Sequence, residues 1–272
     1  MKTVSNIPVN TSENEHPDLL IEVSDLGVSF LWFNKSPFLV KGVNVHLFDV
    51  NDQINEALTK ILSSIKSSIL NTGHVHLLYN YKESVIIPEA YNLENDNKDI
   101  IELMYGSKTT FSTRTEKTLL PNLYNTYRFA DDLNNLLSRH YTVTTQSHSN
   151  SLLIKNESDE ISLYCIVFYD AIKIILHQGG KLLNIQQYTY SKPDDVLYHL
   201  LNTCRQYDII PADTTLKLSG MIIRDSLLYN HLHNHFQHVR FMEIEKEISG
   251  NDEISNLPLH FFTHLTDLAR CV

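Results

Sequence analysis

Short apolar runs come first, in pairs. In LLIEVSDLGVSFLWFN two such runs flank Ser24-Asp25-Leu26-Gly27, and Asp and Gly are turn formers, so the pattern predicts a hairpin. Val28, Phe30 and Trp32 alternate with Ser29, Leu31 and Phe33, which leaves few polar positions on either face and predicts a strand covered on both sides. FLVKGVNVHLFDV predicts a third strand. NDQINEALTKILSSIKSSILNTG then places Ile54, Leu58, Ile61, Ile65 and Ile69 at helical spacing, with acidic residues at its start and Gly73 just past its end. HVHLLYN supplies the strand that follows.

The same order returns in the second half of the chain. LYCIVFYDAIKIILHQGGKLLNIQQYTYS predicts a strand, a turn at Asp170, a strand, a Gly179-Gly180 turn and a strand. KPDDVLYHLLNTCRQYDI predicts a helix with Pro193 in its first turn and Val196, Leu197, Leu200, Leu201 and Cys204 on one face. TTLKLSG is a fourth strand, RDSLLYNHLHNHF a second helix and HVRFMEI a closing strand. Three strands, a helix, a strand, a helix and a strand, begun twice, predict two related α/β lobes. Between them SVIIPEAYNLENDNKDIIELMYG, LYNTYRFADDLNNLLSRHY and NSLLIKN predict a strand, a helix, a strand, a helix and a strand inserted into the first lobe. The polar stretch NESDE, Asn156 to Glu160, marks the boundary. The expected division is a disordered lead-in over 1–17, a first lobe over 18–158 with its insertion at about 84–158, and a second lobe over 159–272.

This pattern resembles the actin-like ATPase superfamily, a two-lobed α/β (ribonuclease H-like) fold of mixed sheets with flanking helices. SVIIPEAYNLENDNKDIIELMY is similar to the strand, proline and helix segment of the PilM and EpsL type of pilus and secretion proteins. The run from VIIPEAY through LPNLYNTYRFADDLNNLL to HSNSLLI resembles a bacterial family of unknown function with a degenerate actin-like fold. Working members of the superfamily hold nucleotide between the lobes, with an Asp-x-Gly phosphate loop in each lobe and a glycine pair against adenosine. The resemblance therefore implies that Asp25, Gly27, Asp170, Ser219 and Gly220 are the vestigial positions of that cleft.

Each position departs from the working pattern. Asp25-Leu26-Gly27 keeps the spacing, but Val28 follows where small and hydroxyl residues extend the loop; Asp170-Ala171-Ile172 has lost the glycine. Ser219-Gly220-Met221 keeps one glycine and sets Met221 in the opening. A phosphate loop works by exposing consecutive backbone N–H groups, which a Cβ obstructs, so Ile172 and Met221 are expected to intrude on that space. Eight glycines in 272 residues fall below half the usual share of about 7%. Taken without the resemblance, Asp25, Gly27, Asp170 and Gly220 also read as ordinary turn residues.

Charge and composition narrow the functions further. A net charge of −10 repels nucleic acid and anionic membrane, which leaves a protein or a small ligand as partner. No apolar run reaches membrane-spanning length and the opening residues lack a signal-peptide pattern. Three cysteines without C-x-x-C spacing predict reduced thiols and a cytoplasmic setting. In NHLHNHFQH, His231, His235 and His238 could face one way on a helix, and HFFTH adds His260 and His264. The apolar Leu228, Leu232 and Phe236 instead favour an amphipathic helix whose polar face holds histidines, so no metal is expected. Asp131-Asp132 and Asp194-Asp195 sit where helix starts call for acidic residues. No G-x-S-x-G, P-loop or dinucleotide motif occurs. The expectation is a non-catalytic cytoplasmic scaffold or regulator that works through an unidentified protein partner without cofactor, nucleic acid or membrane insertion. The alternative is a nucleotide-binding sensor or weak ATPase that holds ATP and Mg in the interlobe cleft.

Overall fold

A computed structural model describes residues 2–10, 12, 15–49, 53–65, 72–92, 97–155, 161–245 and 248–272. The chain divides into two compact units, Met1–Leu153 with Glu247–Ser255 and Leu265–Val272, and Ile154–Lys246 with Asn256–His264.

Unit 1 opens with β1 (Lys2–Ile7), β2 (Asp18–Val23), β3 (Gly27–Lys35) and β4 (Phe38–Leu47), followed by α1 (Ile54–Ser64) and β5 (Val75–Tyr79). An inserted segment carries β6 (Ser84–Pro88), α2 (Lys98–Tyr105), β7 (Phe111–Lys117) and β8 (Leu123–Ala130), and the chain returns through α3 (Asp131–His140), β9 (Val143–His148) and α4 (Ser149–Leu153). The main sheet runs β1-β4-β3-β2-β5-β9, and the insertion forms its own sheet, β6-β8-β7. β2, β5 and β9 are parallel neighbours, so their carboxyl ends Val23, Tyr79 and His148 lie at one edge. β3 is closed on both faces, with Trp32 and Phe33 both fully buried. Its Phe30 and Trp32 pack with Leu58 and Ile61 of α1, the periodic apolar positions of that helix. Ile69, expected on the same face, lies outside the described residues.

Unit 2 contains β10 (Ser162–Val167), β11 (Ala171–Gln178), β12 (Lys181–Thr189), α5 (Pro193–Gln206), β13 (Thr215–Gly220), α6 (Leu227–His233) and β14 (His238–Phe241). The sheet order β12-β11-β10-β13-β14 repeats the β4-β3-β2-β5-β9 order of unit 1. The remaining helices are α7 (Asp252–Ser255) and α8 (Thr263–Ala269).

Five expectations are corrected. Lys2–Ile7, read as disordered lead-in, forms β1, because an antiparallel ladder to β4 satisfies its backbone and buries Ile7. NSLLIKN, read as a strand, instead supplies Asn150–Leu153 of α4; the strand is the polar VTTQSH before it, held by parallel pairing to β5 rather than by an apolar pattern. The polar β7 had no apolar signal at all and is defined by its pairing with β8. The helix of RDSLLYNHLHNHF is only seven residues long and starts at the Ser226 cap, which accepts from Tyr229 N–H at 3.1 Å. The second lobe does not extend to 272: Gly250 N–H bonds Val40 O, and the Asn251 side chain bonds the carbonyls of Pro8 and Lys41, which ties that segment into unit 1. The expected boundary at 156–160 lies outside the described residues.

Candidate functional site

In parallel sheets, ligands bind beyond the carboxyl ends of the strands. Asp25 and Gly27 sit there in unit 1, in the β2–β3 turn; Asp170, in the β10–β11 turn, and Ser219 and Gly220, at the end of β13, sit there in unit 2.

The unit 1 turn is closed by its own serine. Ser24 Oγ accepts from the N–H groups of Leu26 (3.1 Å) and Gly27 (3.3 Å), while Ser24 N–H bonds Gly27 O at 3.0 Å. These are the donors a phosphate would need. Gly27 is required by packing: a Cβ there would meet His46 O at 2.3 Å on β4. Asp25 is exposed at the tip, yet the surrounding chain thins the water around its carboxyl and raises its pKa, against the pull of Lys82 and Lys108. Glu83, buried beyond the end of β5, takes charge-assisted bonds from Arg128 Nη1 at 3.3 Å and from Lys108 Nζ. Arg128 is 1% exposed, and its Nη2 makes no hydrogen bond.

Behind this turn lies a buried polar seam in which Ser149 Oγ donates to Asn80 Oδ1 (2.9 Å) and Asn125 Nδ2 donates to Ser151 Oγ (3.0 Å). His148 Nδ1 accepts from Asn150 N–H at 3.0 Å, so Nε2 carries the proton and donates to Tyr81 O at 3.0 Å. Both ring nitrogens are committed to the backbone. The seam thus offers Ser149 no free imidazole base of the kind a nucleophilic serine needs.

In unit 2 the closure comes from the main chain. Gly220 N–H donates to His260 O (2.8 Å), Met221 N–H to Val167 O (2.7 Å) and Ile222 N–H to Gly220 O (2.8 Å). Gly220 has φ of 83°, and a Cβ would stand 2.1 Å from Val167 O, so the fold itself demands glycine. His260 is buried against Phe241, its ring 4.0 Å away, and Nε2 donates to Ile222 O at 2.6 Å. Burial pushes its pKa below the ordinary histidine value. At the Asp170 turn, Phe168 N–H bonds Ala171 O (2.8 Å) and Tyr190 N–H bonds Asp170 O (3.1 Å). Ile172 does not intrude on the turn; strand alternation carries it into the unit 2 core beside Leu218 and Val196. Met221 is half-buried beside the turn.

The histidine face does not assemble. His231 lies on α6 and pairs with Asp194 at 2.8 Å, His235 Nδ1 bonds His231 O at 3.0 Å, and His238 opens β14. The paired aspartates lie at helix starts: Asp131 and Asp132 in the first turn of α3, and Asp195 accepting from Ser191 and Lys192 N–H at the start of α5. Sequence reasoning missed Glu83–Arg128, and it singled out His260 only as a member of a histidine pair, not for its bond to the turn. An arginine inside the otherwise apolar and aromatic YRFA was a visible signal for the first; the backbone partner of His260 is remote in sequence, and no local pattern marks it.

Solved structures share this fold. A protein with actin-like ATPase fold and unknown function from Bacteroides thetaiotaomicron matches with TM-score 0.74 and 17% identity over 94% of this chain and 97% of that one. The PilM–PilN type IV pilus biogenesis complex matches with TM-score 0.65 and 10% identity over 94% of this chain and 98% of that one. The ethanolamine utilization protein EutJ from Carboxydothermus hydrogenoformans gives 0.54 and 8% over 97% and 92%. No curated protein matches the chain. The chain has the actin-like ATPase fold, and because the family model matches residues 6–239, it belongs to the family described as Protein of unknown function (DUF3822).

Proposed function

We propose that this protein is a non-catalytic member of the actin-like class that acts as a scaffold or regulator through contacts with another protein, and that Asp25, Gly27, Asp170, Ser219 and Gly220 are vestiges of a nucleotide site. One observation carries the reading: the strand-end N–H groups of Leu26, Gly27, Gly220, Met221 and Ile222 are already bonded within the chain. A phosphate entering either turn would have to break those bonds before gaining its own. The two glycines have structural reasons of their own. PilM, of similar fold, is found in complex with PilN, which supports a protein partner for this chain as well. Cys165 and Cys204 are buried free thiols, in keeping with a cytoplasmic setting. Among the described residues no helix is long and apolar enough to cross a membrane.

The test is thermal unfolding with and without millimolar Mg-ATP. A ligand present at a hundred times its dissociation constant adds about 2.7 kcal/mol of stability, a rise of ~2–4 °C per kcal/mol for a chain of this size. The expected result is no shift and no phosphate release. A reproducible rise with ATP, absent with phosphate alone and abolished by Asp25→Ala, overturns the proposal in favour of a nucleotide sensor.

A further inference from the structure

The outer strands of the two main sheets are not protected alike. In unit 1, β1 is a short edge strand broken by a register shift between Thr3 and Ser5 and followed by Pro8. β9, at the other end, is met by side chains of β7: Glu116 accepts from His148 N–H at 2.8 Å and Arg114 donates to Gln146 at 3.0 Å. In unit 2, β14 has only 4 residues and carries Arg240. Charge, bulges, proline and shortness are the usual means that keep an edge strand from pairing with another chain. β12 has none of them beyond its first residues. It is 9 residues long, its LLNIQQYT stretch is uncharged, and β11 is its one ladder partner among the described residues.

The matching edge of unit 1 shows what the topology accepts there. β4 holds the place in its sheet that β12 holds in unit 2, and β1 covers it as an antiparallel strand that buries Ile7. On β12 the place is open from Asn184 onward; before it, Leu183 is the extra residue of a bulge, and the Tyr207 hydroxyl donates to its carbonyl at 2.8 Å. Tyr190 N–H points inward, to Asp170 O, so the alternation of an antiparallel ladder turns the N–H and C=O groups of Ile185, Gln187 and Thr189 outward. Beside them Tyr188 stacks on His199 of α5 with ring centroids 4.0 Å apart, and Tyr198, which meets His199 edge-on, is 63% exposed.

We propose that β12 pairs with β12 of a second copy of this chain, antiparallel about a two-fold axis at Gln186, so that the two unit 2 sheets become one. In that register Ile185 of each copy exchanges both backbone bonds with Gln187 of the other. Asn184 stands opposite Tyr188 and Lys181 opposite Ser191, so no charge meets its like. A net charge of −10 sets copies of the chain against one another. This uncharged strand is where they approach without that opposition, and the same neutrality gives a charged segment of another protein nothing to recognise. The exposed Tyr198 of each copy adds apolar surface at the flank.

The experiment is sedimentation equilibrium of the full chain, with amide hydrogen exchange at low and high protein concentration. A dimer is expected, and the amides of Ile185 and Gln187 should gain protection as it forms, while those of Gln186 and Tyr188, turned toward β11, are protected throughout. Gln187→Pro removes an outward N–H, leaves the β11 ladder intact and should weaken the dimer roughly tenfold. Gln186→Lys, at an exposed position, sets two like charges opposite one another and should weaken it severalfold. Gln186→Glu should do the same, and an equimolar mixture of the two variants should restore a heterodimer, which damage to the fold could not bring about. A monomer at every concentration overturns the proposal. So does a dimer that Gln187→Pro and both Gln186 variants leave unchanged, or one in which the Ile185 and Gln187 amides stay unprotected, since either puts the contact elsewhere on the chain.

Discussion

The β2–β3 turn of unit 1 and the Gly220 turn of unit 2 both lie beyond the carboxyl ends of strands in similarly ordered sheets, one after β2 and the other after β13, yet their donors are satisfied differently. Around Asp25 the N–H groups go to the hydroxyl of a serine within the same four-residue turn. Around Gly220 they go to carbonyls, one of them on His260, forty residues away in sequence. The first closure is local and forms with the hairpin. The second depends on the 256–264 segment being in place, so it is tertiary and brings a buried histidine with it. One topology can therefore satisfy its strand-end donors through a single side chain or through packing, and the two differ in what a substitution costs.

The sharpest contrast is between the two glycines. Gly220→Ala imposes a left-handed conformation on a residue with Cβ, about 1–2 kcal/mol, and adds a clash with Val167 O, for which overpacking costs about 1–3 kcal/mol. Gly27→Ala meets only the clash, with His46 O, because Gly27 is not among the positive-φ residues. Denaturant unfolding should rank Gly220→Ala as the more damaging, by about 1–2 kcal/mol. Equal losses would show that backbone conformation does not distinguish the turns.

Next in size is the charge network of Glu83, Arg128 and Lys108 in unit 1. Arg128→Met leaves Glu83 buried with Lys108 as its remaining cation. Removing one partner of a buried pair costs about 3–5 kcal/mol, and the surviving lysine should hold the loss near the lower end, about 3 kcal/mol. Glu83→Gln with Arg128→Met should recover part of it. A double variant that simply adds the two single losses would mean the pair is not coupled.

Most of the sheet order was legible because apolar alternation and turn residues carried it. β3, β11 and α1 announce themselves through Trp32, Ile174 and Ile61, all buried. What escaped was stabilised by backbone pairing instead of side-chain burial: β1, β7 and β9 read KTVSNI, FSTRTEK and VTTQSH, and no periodic rule selects them. At the candidate site, the positions of Asp25 and Gly220 could be read from sequence, since turns are local. The fate of their N–H groups could not. That depended on a hydroxyl orientation at Ser24 and on His260 arriving from another part of the chain. Ile172 was misplaced for a related reason: one residue of offset after Asp170 turns a side chain from the turn into the core.

A smaller effect distinguishes the turns by pH. The folded pKa of His260 is depressed, mainly by burial, so the unfolded chain binds more protons near the unfolded pKa of about 6.5. Its contribution is therefore fully present above that pH and is lost as pH falls from there through the lower folded pKa, with a slope of at most about 1.4 kcal/mol per pH unit for one group. His46, His76 and His199 are shifted the same way and add to the trend. His260→Phe should retain ring contact with Phe241 and flatten the acid limb of a stability profile. An unchanged limb would mean that His260 does not sense folding.

The smallest expected effect tests the local closure directly. Ser24→Ala removes the acceptor used by the N–H groups of Leu26 and Gly27. Because Ser24 and Leu26 are only half-buried, water can take over part of that role, and the loss should be about 1 kcal/mol, the usual net worth of such a bond. Ser24→Thr keeps the hydroxyl and should recover most of the stability, whereas a purely steric role for the side chain would leave Thr no better than Ala. Hydrogen exchange locates the effect: the amides of Leu26 and Gly27 should exchange faster in the alanine variant, while those of Gly220 and Met221, bonded to carbonyls in unit 2, keep their protection. Acceleration at both turns would indicate global destabilisation and remove the distinction between a closure made by one side chain and one made by the fold.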